Sequence, residues 1–252
     1  MQFIDPPLPR DIFGWYSPAL GMDMPIVHYG YAGHPLLIYP TAQADFLENE
    51  RFFLIKAIEP AIFAGRVQVF SIDSINRYAW MNESVHPLEA GRRQALYSRY
   101  VEEEVVPHIR RVCGDHYRVA TTGASFGAFH AANQLFRRPD LFDTLIAMSG
   151  FYDLDPGYTD GHASDDIYFN NPVAYLSNVH GVQLERLRHD CDIYIVTGQG
   201  AYEAPHKSAQ LSSLLWSKGI GNHLDMWGHD VNHDWPWWRK MLPHYIDDVV
   251  RW

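Results

Sequence analysis

The segment Tyr117–Asp140 (YRVATTGASFGAFHAANQLFRRPD) holds the residues whose types and spacing best suit catalysis. It contains Gly123–Gly127 (GASFG), a G-x-S-x-G pattern that is weak by itself. An apolar run at Tyr117–Thr121 precedes the pattern, and a helical run at Ala128–Arg137 follows it. A serine on a tight strand-to-helix turn has its hydroxyl exposed for attack, an arrangement called the nucleophile elbow. This context predicts that Ser125 is a nucleophile rather than an incidental serine of a glycine-rich turn.

A serine hydroxyl needs a base to remove its proton near neutral pH. In chains with this elbow the order is serine, acid, histidine, and the histidine follows the last strand. Here the apolar run His223–Trp227 is followed by GHDVNHDWPWW, which contains two histidines. His233 is the better candidate base, because His229 comes too soon after the strand to fold back over the elbow. A metal site that also uses Asp230 and Asp234 is the alternative, but no third and fourth ligands are evident, so we expect no metal.

The elements that must position these residues alternate along the chain. Short apolar runs predict strands at Met24–Tyr29, Leu36–Tyr39, Val67–Ile72, Tyr117–Thr121, Thr144–Met148, Asp192–Val196 and His223–Trp227. Longer runs with helical spacing predict helices at Glu48–Phe63, Arg92–Val112, Ala128–Arg137, Ala204–Ser217 and Trp237–Val250. In the second helix, Glu102, Glu103 and Glu104 are expected to face solvent. Alternation of this kind predicts one α/β domain over residues 1–252, with a mostly parallel sheet covered on both faces.

Two long segments, Asn76–Glu89 and Phe151–Pro172, interrupt the alternation. Long ordered insertions at strand ends often carry binding functions, so we expect these two to shape a pocket. Plain surface loops are the alternative. Three aromatic residues in these segments, Tyr78, Trp80 and Tyr152, are candidates for lining the entrance of the pocket.

Composition restricts the classes of function. The 252 residues carry a formal net charge of −10, which disfavours binding to nucleic acid or to an anionic membrane surface. Two cysteines, Cys113 and Cys191, are expected to be reduced thiols.

The N-terminal stretch lacks the cationic start and apolar run of a signal peptide, and no stretch approaches the roughly 20 apolar residues of a membrane span. We therefore expect a cytoplasmic protein. The sequence has no nucleotide-binding glycine loop and no Cys/His metal pattern, so no cofactor is expected.

Three stretches resemble the putative-esterase family of α/β-hydrolases, which includes esterase D-type enzymes, siderophore esterases and the mycolyltransferases of the antigen 85 group. They are TGASFGAFHAANQLFRRPDLFDTLIAMSGFYDL, the run Trp216–Ile220 (WSKGI) and HDWPWWRKMLPHYI. The likeness extends from about Leu36 to the C-terminus. It implies an α/β-hydrolase fold and a serine carboxylic-ester hydrolase that forms an acyl-enzyme with a small-molecule ester. The oligomeric state stays open.

The resemblance also assigns roles to individual residues. Ser125 resembles the family nucleophile and His233 the family base. The backbone N–H of Phe126 resembles one donor of the oxyanion hole, the site that binds the negatively charged oxygen of the reaction intermediate. The second donor is expected from the loop after the Leu36–Tyr39 strand, where the candidates are Thr41, Ala42 and Gln43.

The acid is where this sequence departs from the family pattern. Many relatives have an aspartate in a G-x-x-D turn after the penultimate strand, but Gly198–Glu203 reads GQGAYE and has Ala201 at that place. We expect Glu203 to be the acid; the alternative is a charge in the first turn of a helix, where acids are favoured. Asp225 and Asp230 are poorer alternatives, since they lie beside the histidine loop.

Loss of a triad acid costs about 10⁴-fold in turnover. The sequence therefore leaves two interpretations, an esterase with a relocated acid and an impaired or non-catalytic relative that binds a ligand or partner.

Overall fold

The computed structural model describes residues 8–154 and 157–249. Within these residues, eight strands form one sheet. The strands are β1 (Arg10–Ser17), β2 (Met22–Tyr29), β3 (His34–Tyr39), β4 (Val67–Ile72), β5 (Val119–Ala124), β6 (Phe142–Met148), β7 (Asp192–Thr197) and β8 (His223–Met226). Their order across the sheet is β1-β2-β4-β3-β5-β6-β7-β8. Strands β1 and β2 run antiparallel to their neighbours, whereas β3 to β8 are parallel to one another, so the predicted mostly parallel sheet is confirmed.

Helices cover both faces of the sheet. In the described part of the chain they are α1 (Glu48–Arg51), α2 (Leu54–Phe63), α3 (Pro87–Tyr100), α4 (Val106–Cys113), α5 (Phe126–Arg137), α6 (Asp165–Tyr168), α7 (Pro172–Leu176), α8 (Gly181–His189), α9 (Pro205–Ser217) and α10 (Trp235–Val249). A 3₁₀ turn at Asn76–Tyr78 precedes α3, and a π-helical turn at Val101–Val105 joins α3 to α4. Residues of α3, α4, α5 and α9 bury one face of the sheet, and residues of α2 and α10 bury the other.

All seven predicted strands are present, with ends that differ by up to three residues. The strand predicted at Tyr117–Thr121 is β5, which continues to Ala124, so the serine follows the strand directly. The edge strand β1 was not predicted, because Gly14 and the polar residues at its start obscure the alternation.

The predicted helices differ more from the structure. The helix predicted at Glu48–Phe63 is two helices, since Phe53 adopts a left-handed backbone with φ +62°. The helix predicted at Arg92–Val112 begins earlier, at Pro87, and passes through the π-helical turn. Residue Val250, the predicted end of the last helix, lies outside the described residues.

The expected solvent exposure of three glutamates is wrong for two of them. Only Glu103 is exposed. Glu102 makes ion pairs with Arg137 and Arg138, and Glu104 accepts a hydrogen bond from the indole N–H of Trp15 at 2.7 Å. Helical periodicity predicts which face of a helix carries these carboxylates, but it does not predict their partners. The partners of Glu102 and Glu104 lie on elements that are distant in the sequence.

The parallel strands bring their carboxyl ends to one edge of the sheet. Four loops that carry the predicted site residues leave the sheet there, after β3, β5, β7 and β8. Ligands of parallel α/β sheets bind in the crevice at this edge. The fold therefore places the predicted oxyanion loop, nucleophile, acid and base at the same end of the molecule.

Candidate active site

Ser125 lies on the sharp turn that the sequence predicts. It is the single residue between β5 and α5, with φ +57° and ψ −121°. A non-glycine residue in such a conformation costs about 1–3 kcal/mol and persists only when its surroundings enforce it. Its N–H donates to the carbonyl of Met148 at 2.9 Å, which ties the turn to β6. The side chain is half-buried, so the hydroxyl remains accessible at the strand edge.

The two glycines of the motif make the turn possible. A Cβ on Gly123 would lie 2.4 Å from the carbonyl carbon of Gly127, and a Cβ on Gly127 would lie 2.7 Å from the carbonyl oxygen of Tyr39. Both contacts are with backbone, which cannot move aside cheaply. The helix therefore begins in direct contact with the end of β3, and this close approach brings the elbow next to the loop at residues 41–43.

We expect Gly123→Ala to lower the free energy of unfolding by about 1–3 kcal/mol, the usual cost of forcing extra volume into a packed site. The matched control is Gly221→Ala, because a Cβ there would have no atom within 4 Å. That control should change stability by no more than about 0.5 kcal/mol. Urea denaturation of both variants measures the difference, and equal stability of the two would contradict the close approach.

The structure brings Glu203 to the predicted base. Its Oε2 lies 3.6 Å from Nδ1 of His233, and its side chain is only 1% exposed. The distance is somewhat longer than a hydrogen bond, and catalytic hydrogen bonds often shorten only when substrate binds. Within the described residues, Nδ1 of His233 is buried and has no hydrogen-bond partner. Asp225 instead accepts hydrogen bonds from Tyr245 and Trp227, so Glu203 is the carboxylate that faces this histidine.

The surroundings of Glu203 favour its ionised form. Ser149 donates to Oε1 at 2.6 Å, and Thr197 donates to Oε2 at 3.2 Å. Burial raises the pKa of Glu203, but the neighbouring His233 and the bond from Ser149 outweigh burial and bring that pKa below its ordinary value. Glu203 is therefore a carboxylate at neutral pH. The indole N–H of Trp238 donates to Ser149 at 3.0 Å, which extends the chain of bonds to α10.

The backbone at Ala201 explains how the predicted acid, Glu203, is displaced. Its carbonyl accepts from the N–H of His233 at 3.0 Å, and its own N–H donates to the side chain of Asn232 at 2.7 Å. These bonds join the loops after β7 and β8. The next residue, Tyr202, has φ +64°, and this left-handed turn returns the chain so that Glu203 reaches His233 from two residues further on.

The structure distinguishes among the predicted oxyanion donors. The N–H of Thr41 donates to the buried carboxylate of Glu48 at 2.7 Å, so it is already engaged. The N–H groups of Ala42, Gln43 and Phe126 make no hydrogen bond to any described residue. Phe126 is the first residue of α5, where N–H groups are free and the helix dipole favours negative charge.

The long loops contribute differently from the expectation. Trp80 and Tyr152 are buried, so neither lines an entrance; Tyr78, at 39% exposed, is the one of the three that lies at the surface. The ring of Phe151 packs edge-on against Phe126 at 4.8 Å between centroids. The ring of Tyr158 also packs against Phe126, at 5.4 Å, so the segment Phe151–Pro172 reaches the elbow through these two rings. Residues 155–156 of this loop lie outside the described residues.

Other candidate groups of the sequence lie apart from the site. His229 and Asp230 are exposed, and in residues 8–154 and 157–249 no group of three or more His, Cys, Asp or Glu side chains could hold a metal ion. Both Cys113 and Cys191 are free thiols. None of the described helices is both long and apolar enough to cross a membrane.

Comparison with known proteins identifies the family of this chain. The model of the family described as Putative esterase matches residues 66–248, well over half of the chain. The chain belongs to this esterase family. No curated protein matches it in sequence. Family membership supports an esterase or related hydrolase function.

Solved structures share the fold of this esterase-family protein at low identity. A ferulic acid esterase has a TM-score of 0.76 and 15% identity, covering 96% of this chain and 98% of its own. FphF, a fluorophosphonate-binding serine hydrolase of Staphylococcus aureus, has a TM-score of 0.72 and 13% identity, covering 98% and 100%. MPT51 (FbpC1) of Mycobacterium tuberculosis has a TM-score of 0.67 and 16% identity, covering 96% and 98%. These likenesses establish the α/β-hydrolase fold.

Sequence reasoning missed the residues that support the site. Ser149 and Thr197 bind the predicted acid, Glu203, and Glu48 binds the predicted oxyanion loop. A signal for two of them was available, because Ser149 follows β6 and Thr197 ends β7, at the edge where ligands of parallel sheets bind. Nothing local in the sequence marks Glu48, which binds Thr41 seven residues away.

Proposed function

We propose that this protein is a serine carboxylic-ester hydrolase that forms an acyl-enzyme on Ser125. The observation that carries the proposal is the strained, accessible Ser125 at the start of α5, at the same sheet edge as the pair of Glu203 and His233. Strain of this kind, enforced by backbone contacts, is typical of nucleophile elbows.

In the proposed reaction, Oγ of Ser125 attacks the ester carbonyl carbon while Nε2 of His233 takes its proton. The carbonyl oxygen becomes negatively charged and accepts hydrogen bonds from the N–H of Phe126 and an N–H of the loop at residues 41–43. The C–O bond to the alcohol then breaks, and His233 returns the proton to the leaving oxygen. Water, deprotonated by His233, then attacks the acyl carbon, the bond from that carbon to Oγ of Ser125 breaks, and His233 returns the proton to Oγ as the carboxylic acid is released. Glu203 keeps the proton of the neutral imidazole on Nδ1, so that Nε2 is free to act as base.

The proposed substrate is a small ester with an apolar or aromatic part. The half-buried rings of Phe151 and Tyr158 stack at 5.3 Å, and both pack against Phe126 beside the nucleophile. Aromatic surfaces next to a reactive group commonly hold apolar parts of a ligand.

The proposed reaction needs no cofactor, because side chains supply the nucleophile and the proton transfers. We also propose that it acts in the cytoplasm, on small molecules rather than nucleic acid or membranes, as its free thiols and acidic charge favour.

The alternative of a non-catalytic relative follows from Ala201, which stands where many family members have an aspartate. Glu203 fills that role in the proposal, since it faces His233 as an ionised carboxylate. We therefore favour the catalytic function.

Hydrolysis of p-nitrophenyl acetate, butyrate and benzoate tests the proposed function. We expect saturable release of p-nitrophenol by the wild-type protein, with Ser125→Ala protein from the same preparation as the control for contaminating esterases. Release at equal rates from both proteins, or from neither, would favour the ligand-binding alternative.

A further inference from the structure

We propose that Asn76 and His130 are positioning residues that fix the N–H of Gln43 as the second oxyanion donor. The inference rests on the proposed esterase function and goes beyond it, because it assigns a role to a buried pair that takes no part in the triad. Both side chains are almost completely buried, and neither belongs to the loop that they hold.

The side chain of Asn76 binds the backbone of the loop at residues 41–43. Its Nδ2 donates to the carbonyl oxygen of Ala42 at 2.6 Å, and Ser74 Oγ donates to the same oxygen at 3.2 Å. The 3₁₀ turn that contains Asn76 follows β4, the strand beside β3. Two donors from a neighbouring loop thus converge on one peptide group of the predicted oxyanion loop.

His130 connects Asn76 to the nucleophile helix. Its Nε2 lies 3.1 Å from Oδ1 of Asn76, and its ring stacks on Phe126 at 5.3 Å between centroids. Complete burial lowers the pKa of His130 to about 3, so the ring is neutral at working pH. Because the amide nitrogen of Asn76 donates to Ala42, its Oδ1 must accept, and Nε2 of His130 therefore carries the proton. Nδ1 of His130 is buried without a partner among the described residues, so the histidine is oriented through Nε2.

The geometry of the peptide bond carries this restraint to Gln43. The N–H of Ala44 donates to the carbonyl of Thr41 at 3.0 Å, so these residues form a tight turn with Ala42 and Gln43 at its centre. The carbonyl of Ala42 and the N–H of Gln43 belong to one planar trans peptide and point in opposite directions. When Asn76 binds the carbonyl on the protein side, the N–H of Gln43 faces away from Asn76 and is free to donate.

The turn needs this restraint because it is strained. Ala42 has φ +40°, an unfavourable conformation for a residue with a side chain. Without the bond from Asn76, rotation of the central peptide can relieve the strain and turn the N–H of Gln43 away. Glu48 already occupies the N–H of Thr41, so that donor cannot replace the N–H of Gln43. The pair of His130 and Asn76 thereby couples the helix that carries the first donor to the loop that carries the second.

Asn76→Asp tests the role of the amide, because the carboxyl has nearly the same shape but cannot donate to Ala42 when ionised. Removing one oxyanion donor typically lowers kcat by about 10²–10³-fold, so we expect a fall in that range with little change in KM. Affinity for a trifluoromethyl ketone, whose adduct with Ser125 carries an oxyanion, should fall by a similar factor. His130→Gln, which retains a donor for Asn76, should keep more of the activity than His130→Leu.

The matched control is Asn133→Asp. Asn133 is a buried asparagine of α5 whose amide donates to Asn170 at 3.0 Å, away from the oxyanion loop. We expect Asn133→Asp to lower the melting temperature as Asn76→Asp does. Its kcat should stay within about twofold of wild type, because loss of a buried hydrogen bond away from the oxyanion loop does not act on the reaction intermediate. Wild-type kcat in Asn76→Asp, or equal losses of kcat in both variants, would overturn this inference and leave the proposed function intact. Absence of ester turnover by the wild-type protein would overturn both.

Discussion

Ser125→Ala should fold normally and hydrolyse p-nitrophenyl butyrate at least about 10⁴-fold more slowly than the wild-type protein. The substitution removes one hydroxyl from a half-buried position and keeps a Cβ, so the strained turn and its backbone contacts remain. The loss reflects the chemistry, because no acyl-enzyme can form without Oγ. Oxyanion donors and substrate binding remain, and they account for the residual rate.

A matched control for this variant is Ser217→Ala. Ser217 is the exposed last residue of α9, and among the described residues its hydroxyl bonds only to the carbonyl of Leu214 in its own helix. Its kcat/KM should equal that of the wild-type protein within experimental error. Steady-state kinetics with both variants, together with their melting temperatures, separates loss of the nucleophile from loss of folded protein. Retention of wild-type activity by Ser125→Ala would overturn the mechanism.

Glu203→Gln should lower kcat by about 10³–10⁴-fold while KM stays nearly unchanged. The glutamine has the same shape, but its amide N–H can donate to Nδ1 of His233 and so favours the tautomer with the proton on Nε2. That tautomer cannot accept the proton of Ser125. The variant also loses the negative charge that stabilises the imidazolium formed during the reaction, 3.6 Å away in the resting state.

Asp225→Asn is the control for this second variant. Asp225 lies in β8, near the same edge of the sheet, but it binds Tyr245 and Trp227 rather than His233. We expect its kcat to stay within a few-fold of wild type. If Glu203→Gln kept wild-type turnover, Glu203 would be only a structural carboxylate, and the interpretation as an impaired relative would regain weight.

Stability against pH gives an independent measurement on the same variant. The pKa of Glu203 is lowered in the folded protein, so its ionised form stabilises the fold at neutral pH. That contribution is lost as the pH falls through the lowered pKa. The difference in free energy of unfolding between wild type and Glu203→Gln should therefore be largest near neutral pH and shrink in acid.

Local steric rules made the sharp turn at Ser125 predictable. Gly123 and Gly127 are needed because backbone passes within about 3 Å of where their side chains would be, and such a need leaves a short pattern in the sequence. The sequence also predicted Glu203, because the departure at Ala201 directed attention to the next carboxylate in the loop. The φ of Tyr202, which makes the displacement possible, has no such signature.

Contacts between distant segments made the rest unpredictable. Glu104 is half-buried because β1 supplies partners from nearly ninety residues earlier in the chain. In the same way, Asn76 reaches Ala42 across 34 residues and His130 across 54. Single-sequence periodicity reports which face of an element is apolar, but it does not report which polar side chains will meet.

The central claim, that Ser125 is the nucleophile, is tested most directly by mass spectrometry after reaction with a fluorophosphonate. We expect one phosphonyl group per protein molecule, mapped by peptide fragmentation to Ser125 within the Gly123–Gly127 motif, and loss of ester hydrolysis in proportion to labelling. Ser125→Ala should remain unlabelled. A label on another residue, or a fully active protein that takes up none, would contradict the account.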